Sequence, residues 1–529
     1  MLHQRLTALS RLILSMLMTM IYSSLPLMAQ DTTTNPDSAL AIRLKQITGT
    51  IISLEDAISH AMDKSTEMQQ ARASLMSAKA VLRRELGMFD PALFANWRYI
   101  DNQAPTASFF SGANVLETQQ TIGQAGIRMD LSYGTHLETA LNVRKLKTNS
   151  SFASLSPEYD TDVSFSIRQP LLNGFTMSAR KVLSSAEKSL DAAQKRYDQN
   201  VLDISTEVEK SYWDLYAAER DFAVQQLVRE QAKALLKEAE IRAKTGLVGP
   251  NQVANAQVFL AQQELALYDQ EERLDRLSDQ FASLIGHRPE SGMKRFIIGD
   301  QPPQDFTISP VDEIVSQSIQ DNLQLQATKK DLERARILEN AAAWEALPSV
   351  DILGIIGGNG LAGTGRAITF NGQTFPPPES STLGDAISHS FNRDYPSWSV
   401  GVEVNYPIGS RTGLGRRDEA RAQVIMSEQN YIAAERLLEE QIRSSHRELE
   451  NGIMRLQIAR DQVKAAQEQV RIGLIEYHNG RSTAFELVRL AADFAQSQQR
   501  YSQELVRNAK AAATLRQLTS GKYPALKTN

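Results

Sequence analysis

Leu54-Glu-Asp-Ala-Ile-Ser and Val311-Asp-Glu-Ile-Val-Ser open two stretches of the chain that can be laid over each other residue by residue. The register runs without a gap to Pro91 and Pro348, each of which ends a helix-forming stretch and starts a strand-forming one. Farther along, Pro170 in Gln169-Pro-Leu-Leu answers Pro407 in Tyr406-Pro-Ile-Gly, and Gly246 answers Gly480. The chain is one unit written twice: helix, strands, long helix, glycine turn, helix. Two such copies pack about a pseudo-two-fold.

The two textures inside each copy are distinct. Residues 54–88, 178–286, 310–346 and 415–520 are rich in Ala, Gln, Glu, Leu and Arg, all good helix formers. Residues 91–173 and 348–413 are rich in Ser, Thr, Gly, Asn and aromatics. There Val163-Ser-Phe-Ser-Ile-Arg-Gln and Trp398-Ser-Val-Gly-Val-Glu-Val alternate as half-buried strands do. The copies therefore span 54–286 and 310–520. A Gly- and Pro-rich connector lies over 287–309, an extended N-terminal segment over 30–53 and a short tail over 521–529.

The long helices carry a heptad seam. Val201, Val208, Leu215 and Phe222 lie seven apart, as do Ile442, Leu449, Leu456, Val463 and Val470. Small residues fill the seam between them: Ser211 and Ala218, then Ser445, Gly452, Ala459 and Ala466. Residues 178–245 as one helix would run roughly 100 Å, too long for a compact domain.

Composition narrows the function. The chain has 529 residues, a net charge of −5 and no cysteine. The charge argues against a general nucleic-acid binder. The absent cysteine excludes disulfides, thiolate metal sites, thiol nucleophiles and a lipid-modified N-terminal cysteine. Arg5 and Arg11, the apolar run Leu12–Tyr22 and Leu27-Met28-Ala29 read as a cleaved secretory signal over residues 1–29. No later run is apolar enough to span a bilayer as a helix, so any crossing uses strands.

Catalytic signals fail on inspection. Gly358-Asn-Gly-Leu-Ala-Gly follows an apolar run, as a dinucleotide fingerprint does, but Thr364 onward and the prolines from Pro376 leave no room for the required helix. The stretch reads as an extramembrane loop. The seven histidines show no metal-ligand spacing, and neither a phosphate loop nor a nucleophile elbow occurs. An enzyme is not expected, and no cofactor is implied.

The strand regions pass a membrane test. Ala92-Leu-Phe-Ala-Asn-Trp-Arg-Tyr-Ile, Ala125-Gly-Ile-Arg-Met-Asp-Leu-Ser-Tyr and Leu137-Glu-Thr-Ala-Leu-Asn-Val-Arg have the length and alternation of barrel strands with a lipid face and a wet face. A soluble sheet alternates too, but the export signal favours a barrel. One chain has too few strands to close it, so several copies share one barrel.

This layout resembles the TolC family of outer-membrane efflux channels over essentially the whole mature chain. Lys244-Thr-Gly-Leu-Val and Tyr477-His-Asn-Gly-Arg-Ser-Thr-Ala-Phe-Glu-Leu look like the family's two periplasmic hairpin tips, and the Pro170 and Pro407 segments like its strand-to-helix crossings. The resemblance implies an α+β membrane protein with a duplicated helix–strand–strand–helix unit. It implies a homotrimer whose shared twelve-strand barrel in outer-membrane lipid continues into a long periplasmic α-helical barrel. It also implies docking of the tips, Gly246, Leu247, Gly480 and Arg481, onto a periplasmic adaptor that joins an inner-membrane pump.

By the same resemblance the entrance gate falls on five residues. Glu486 fits an acidic ring that attracts cations, whereas Arg489 stands where the family has a second acid. Tyr477 matches a latch position, and its partner positions fall on Asn251 and Gln252. Solvated helix-tip residues are the plainer reading of all five. A second departure is that the first half holds four strand-like segments, near 92–100, 123–133, 137–146 and 161–170, where the family has two. Tyr133-Gly-Thr-His136 reads as the turn of the extra hairpin, whose place is left open. The rival of another class is an envelope-spanning coiled-coil structural protein with no tunnel.

Overall fold

A computed structural model of the chain describes residues 36–246, 248–370 and 372–526; the signal segment expected at 1–29 lies outside them. In chain order the first half gives α1 (Pro36–Gln46), β1 (Thr50–Ile52), α2 (Leu54–Lys64), α3 (Thr66–Leu86), β2 (Ala92–Pro105), β3 (Val115–Asp130), β4 (His136–Thr148), β5 (Leu155–Pro170), α4 (Lys181–Lys244) and α5 (Pro250–Ile285). After the connector strand β6 (Phe296–Ile298) follow α6 (Val311–Asp321), α7 (Leu323–Glu345), β7 (Ser349–Gly365), α8 (Leu383–Asn392), β8 (Tyr395–Asn405), α9 (Arg411–His478) and α10 (Ala484–Leu518). None of the described helices is long and apolar enough to cross a membrane.

The chain divides into two compact units. In the described residues, one comprises 62–206, 307–447 and 514–526 and is built on a six-stranded antiparallel sheet of order β8-β7-β5-β4-β3-β2. The first half contributes four of these strands and the second two. A barrel of twelve strands needs four from each of three chains, so that count does not follow from this sheet. The cause is the turn at Leu131–Thr135, closed by Leu131 N–H donating to Thr135 O at 2.8 Å. Gly134 holds φ +85 there, and a side chain on it would collide with the Gly174 carbonyl, so only glycine fits.

Both copies break their first helix at the same point of the repeat. Ser65 caps α3 by accepting from Met68 N at 3.2 Å, and Asn322 caps α7 by accepting from Leu325 N at 2.9 Å. The single helices expected over 54–88 and 310–346 are therefore pairs. The glycine stretch Gly358–Gly363, expected as a loop, is instead part of strand β7. Its glycines let α8 lie on the strand, because side chains on Gly358 and Gly360 would strike the carbonyls of Ser390 and Ala386.

The other unit comprises 36–61, 207–306 and 448–513. Its core gathers Tyr212, Trp213, Leu215, Phe281 and Phe296, all buried. The connector is not featureless: β6 pairs in parallel with β1, Thr50 opposite Phe296 and Ile52 opposite Ile298. The Tyr212 hydroxyl donates to Asp300 Oδ2 at 2.7 Å, and the same carboxylate accepts from Leu54 N at 2.7 Å. Beside them Glu219, 5% exposed, accepts from Ile298 N at 2.8 Å. Burial pushes its carboxyl up to about 8, against the opposing pull of the Ile298 N–H and Arg295.

The segment expected to be extended over 30–53 contains the helix α1 instead. Pro36 opens it, and Arg43 and Lys45 complement the dipole of its last turn. Leu40 is buried against Ala223, Val224 and Val228, so the helix is held by docking rather than by its own polar sequence. The heptad seam of the long helices is buried as expected, at Val208, Leu215, Phe222, Ile442, Leu449 and Leu456. At Gly452 a side chain would meet Asn508 Oδ1 at 2.5 Å, which is why the seam there is small.

Candidate functional site: the two hairpin tips

Two helical hairpins end in glycine turns, both within the second of these units. After α4, Gly246 takes φ +76 and its N–H donates to Ala243 O at 3.1 Å; Gly249 and Pro250 then start α5. After α9, Gly480 takes φ +70, and Arg481 N–H donates back to Glu476 O at 2.8 Å. A side chain on either glycine would meet open space, so the left-handed backbone alone selects glycine. Thr483 Oγ1 accepts from Glu486 N at 3.3 Å and starts α10. Leu247, assigned above to the first tip, lies outside the described residues.

Tyr477 joins the two hairpins. It is 3% exposed, and the Arg242 guanidinium lies over its ring at 4.4 Å from the centroid. Its hydroxyl is hydrogen-bonded to Glu238, which also pairs with Arg242 at 2.9 Å. Burial first, and then the Glu238 carboxylate, push the phenol up to about 12, so it stays protonated at neutral pH. Glu238 and Arg242 on α4 are therefore partners of Tyr477. Gln252 borders the same cavity of about 630 Å³, and Asn251 is exposed on the first turn of α5. The only sequence signal for the new pair was an acid and a base four apart in the closing turns of α4.

Glu486 and Arg489 come together as an i,i+3 pair at 3.1 Å, with both side chains more than half exposed. Arg489, which stands where the family has a second acid, thus sits beside Glu486. A pair this exposed adds little stability but cancels charge locally. Arg481 is exposed at the second tip. Among the described residues, no three or more His, Cys, Asp or Glu side chains are grouped to hold a metal ion.

The described part of the two tips is thus joined through Tyr477, Arg242 and Glu238. The chain belongs to the outer membrane efflux protein family, whose model matches residues 132–287 and 314–521. Solved structures share the fold at low identity. The Vibrio cholerae outer membrane protein VceC is 15% identical, with 88% of this chain and 96% of that chain covered and a TM-score of 0.62. The Campylobacter jejuni CmeC outer membrane channel is 12% identical, covering 90% and 87%, with a TM-score of 0.63. The Neisseria gonorrhoeae MtrE outer membrane channel in its open state is 16% identical, covering 88% and 89%, with a TM-score of 0.59. Among curated proteins, none matches the chain. The protein is an outer-membrane efflux channel with a β-barrel and long periplasmic helices, and it is not an enzyme.

Proposed function

We propose that three copies of this chain form one passive conduit, whose hairpin tips close the periplasmic entrance and dock onto a periplasmic adaptor tied to an inner-membrane pump. An apolar stripe left bare on α9 carries this reading. Met454, Ile458, Ile472 and Ile475 are exposed and fall at coiled-coil spacing. On α5, Val258, Leu265 and Tyr268 are bare in the same manner. Bare stripes on long helices need other helices to cover them, and further copies of the chain supply these.

Docking is assigned to Gly246, Leu247, Gly480 and Arg481, with Phe485, 74% exposed, as the apolar anchor beside them. The gate is assigned to Tyr477, Glu486, Arg489, Asn251 and Gln252, to which Glu238 and Arg242 are added. That the gonococcal MtrE channel has an open state supports a conduit that opens.

Purified protein in a planar bilayer tests the conduit. Ion current is expected; its absence when the tips are freed favours a coiled-coil structural protein without a tunnel. The charge at the gate is tested in the same bilayer with a trivalent cation. Arg489→Ala bares Glu486 and is expected to strengthen block several-fold, and adding Glu486→Gln is expected to reverse the gain. Equal block in all three proteins would remove Glu486 from the gate.

A further inference from the structure

The sheet has two more strands per chain than a shared twelve-strand barrel requires, and their placement is specific. β2 pairs with β3 along its whole length, from Ala92 opposite Arg128 to Pro105 opposite Val115. β3 pairs with β4 from Asp130 opposite His136 to Thr118 opposite Thr148, and β4 with β5 from His136 opposite Arg168 to Leu146 opposite Glu158. The extra hairpin β3–β4 therefore spans the same height as the strands on either side of it.

Its side chains continue both faces of the sheet. One transverse row reads Leu93, Ile127, Thr139, Phe165, Ile356 and Trp398. Leu93 is 82% and Trp398 76% exposed at the ends of this row. On the opposite face a row reads Asn96, Gln124, Asn142, Asp162, Asn359 and Tyr395. Its members bond sideways, Asn96 Nδ2 donating to Gln124 Oε1 at 2.8 Å and Asn142 Nδ2 to Asp162 Oδ2 at 3.0 Å. Apolar and polar faces in this alternation are those of a wall between lipid and water. A hairpin standing outside the membrane has no use for the first row.

We infer that β3–β4 is part of the membrane wall and that three copies close a barrel of eighteen strands, an inference that rests on the trimer proposed above. The sheet ends in two bare edges, β2 and β8, and bare edges are not tolerated in lipid. β2 leaves the helical side of the sheet and β8 returns to it, so β2 of one copy meets β8 of the next antiparallel. Diameter grows about linearly with strand number, which makes this barrel roughly half as wide again as one of twelve strands.

The chain has no cysteine, so single cysteines report without background. The full-length protein is reconstituted in liposomes carrying Gln124→Cys or Asn142→Cys on one face, and Ile127→Cys or Leu141→Cys on the other. A sulfonated, water-soluble maleimide is expected to label the first pair at least tenfold faster than the second, and a lipid-soluble maleimide to reverse the order. Subunit number is counted on the same sample by native mass spectrometry. Three copies with equal labelling of both pairs would overturn the eighteen-strand barrel and leave the conduit standing. A count other than three overturns the trimer and the number eighteen together.

Discussion

Tyr477→Ala is expected to turn a channel that is mostly shut into one that conducts steadily in a planar bilayer. The ring is buried between the two hairpins of one chain, under Arg242 and bonded to Glu238. Removing a buried aromatic costs about 3 kcal/mol or more, and here the loss falls on the contact that keeps the tips together. A change of about 3 kcal/mol moves a two-state equilibrium roughly 100-fold toward the open form. Tyr477→Phe keeps the ring under Arg242 and loses one hydrogen bond, about 1 kcal/mol, so its gain in open time is roughly fivefold. Open times of Tyr477→Ala equal to those of the parent protein would show that the gate is held elsewhere.

Glu219→Gln is expected to make the protein more stable in alkali and to leave it unchanged in acid. The folded protein holds this acid protonated up to about pH 8, whereas the unfolded chain releases the proton near 4.5. The raised value means that its stabilising contribution is complete below pH 4.5 and is lost as the pH climbs to about 8. Above that the core holds a buried carboxylate, a cost on the order of 4 kcal/mol. Glutamine carries no charge and its carbonyl still accepts from Ile298 N. For a chain of this length the variant is expected to melt about 3–4 °C above the parent at pH 9 and level with it at pH 4. Circular dichroism of the helices measures both, and parallel melting curves across that range would place the charge elsewhere.

The duplication, the strands and the buried seam were legible because each leaves a period in the sequence. Pro91 and Pro348 mark the same junction twice, and alternation runs through Val163–Gln169 and Trp398–Val404. The helix at Pro36–Gln46 left no such mark, since two leucines, Leu40 and Leu44, tie it down and the buried residues receiving them come from α4 and α10. Gly358–Gly363 read as a loop because glycine weakens a strand, and the compensating contact, the backbone of α8, lies more than twenty residues on. The capped breaks at Ser65 and Asn322 were readable in principle, being good caps at matching points of the repeat. The surroundings of Tyr477 were not legible, because which turn of α4 comes alongside it depends on how the helices pack, and that brings Glu238 and Arg242 to its ring.

The two bare strands at the ends of the sheet also bear on inheritance. In the trimer proposed above, each ring closes only if every copy offers both a sound β2 and a sound β8. A lesion confined to one of them therefore damages rings built largely from normal chains. When altered and normal copies are made in equal amounts, only roughly one ring in eight is free of the defect. Edge mutations in this protein should be dominant, whereas mutations that stop the chain from folding at all should be recessive.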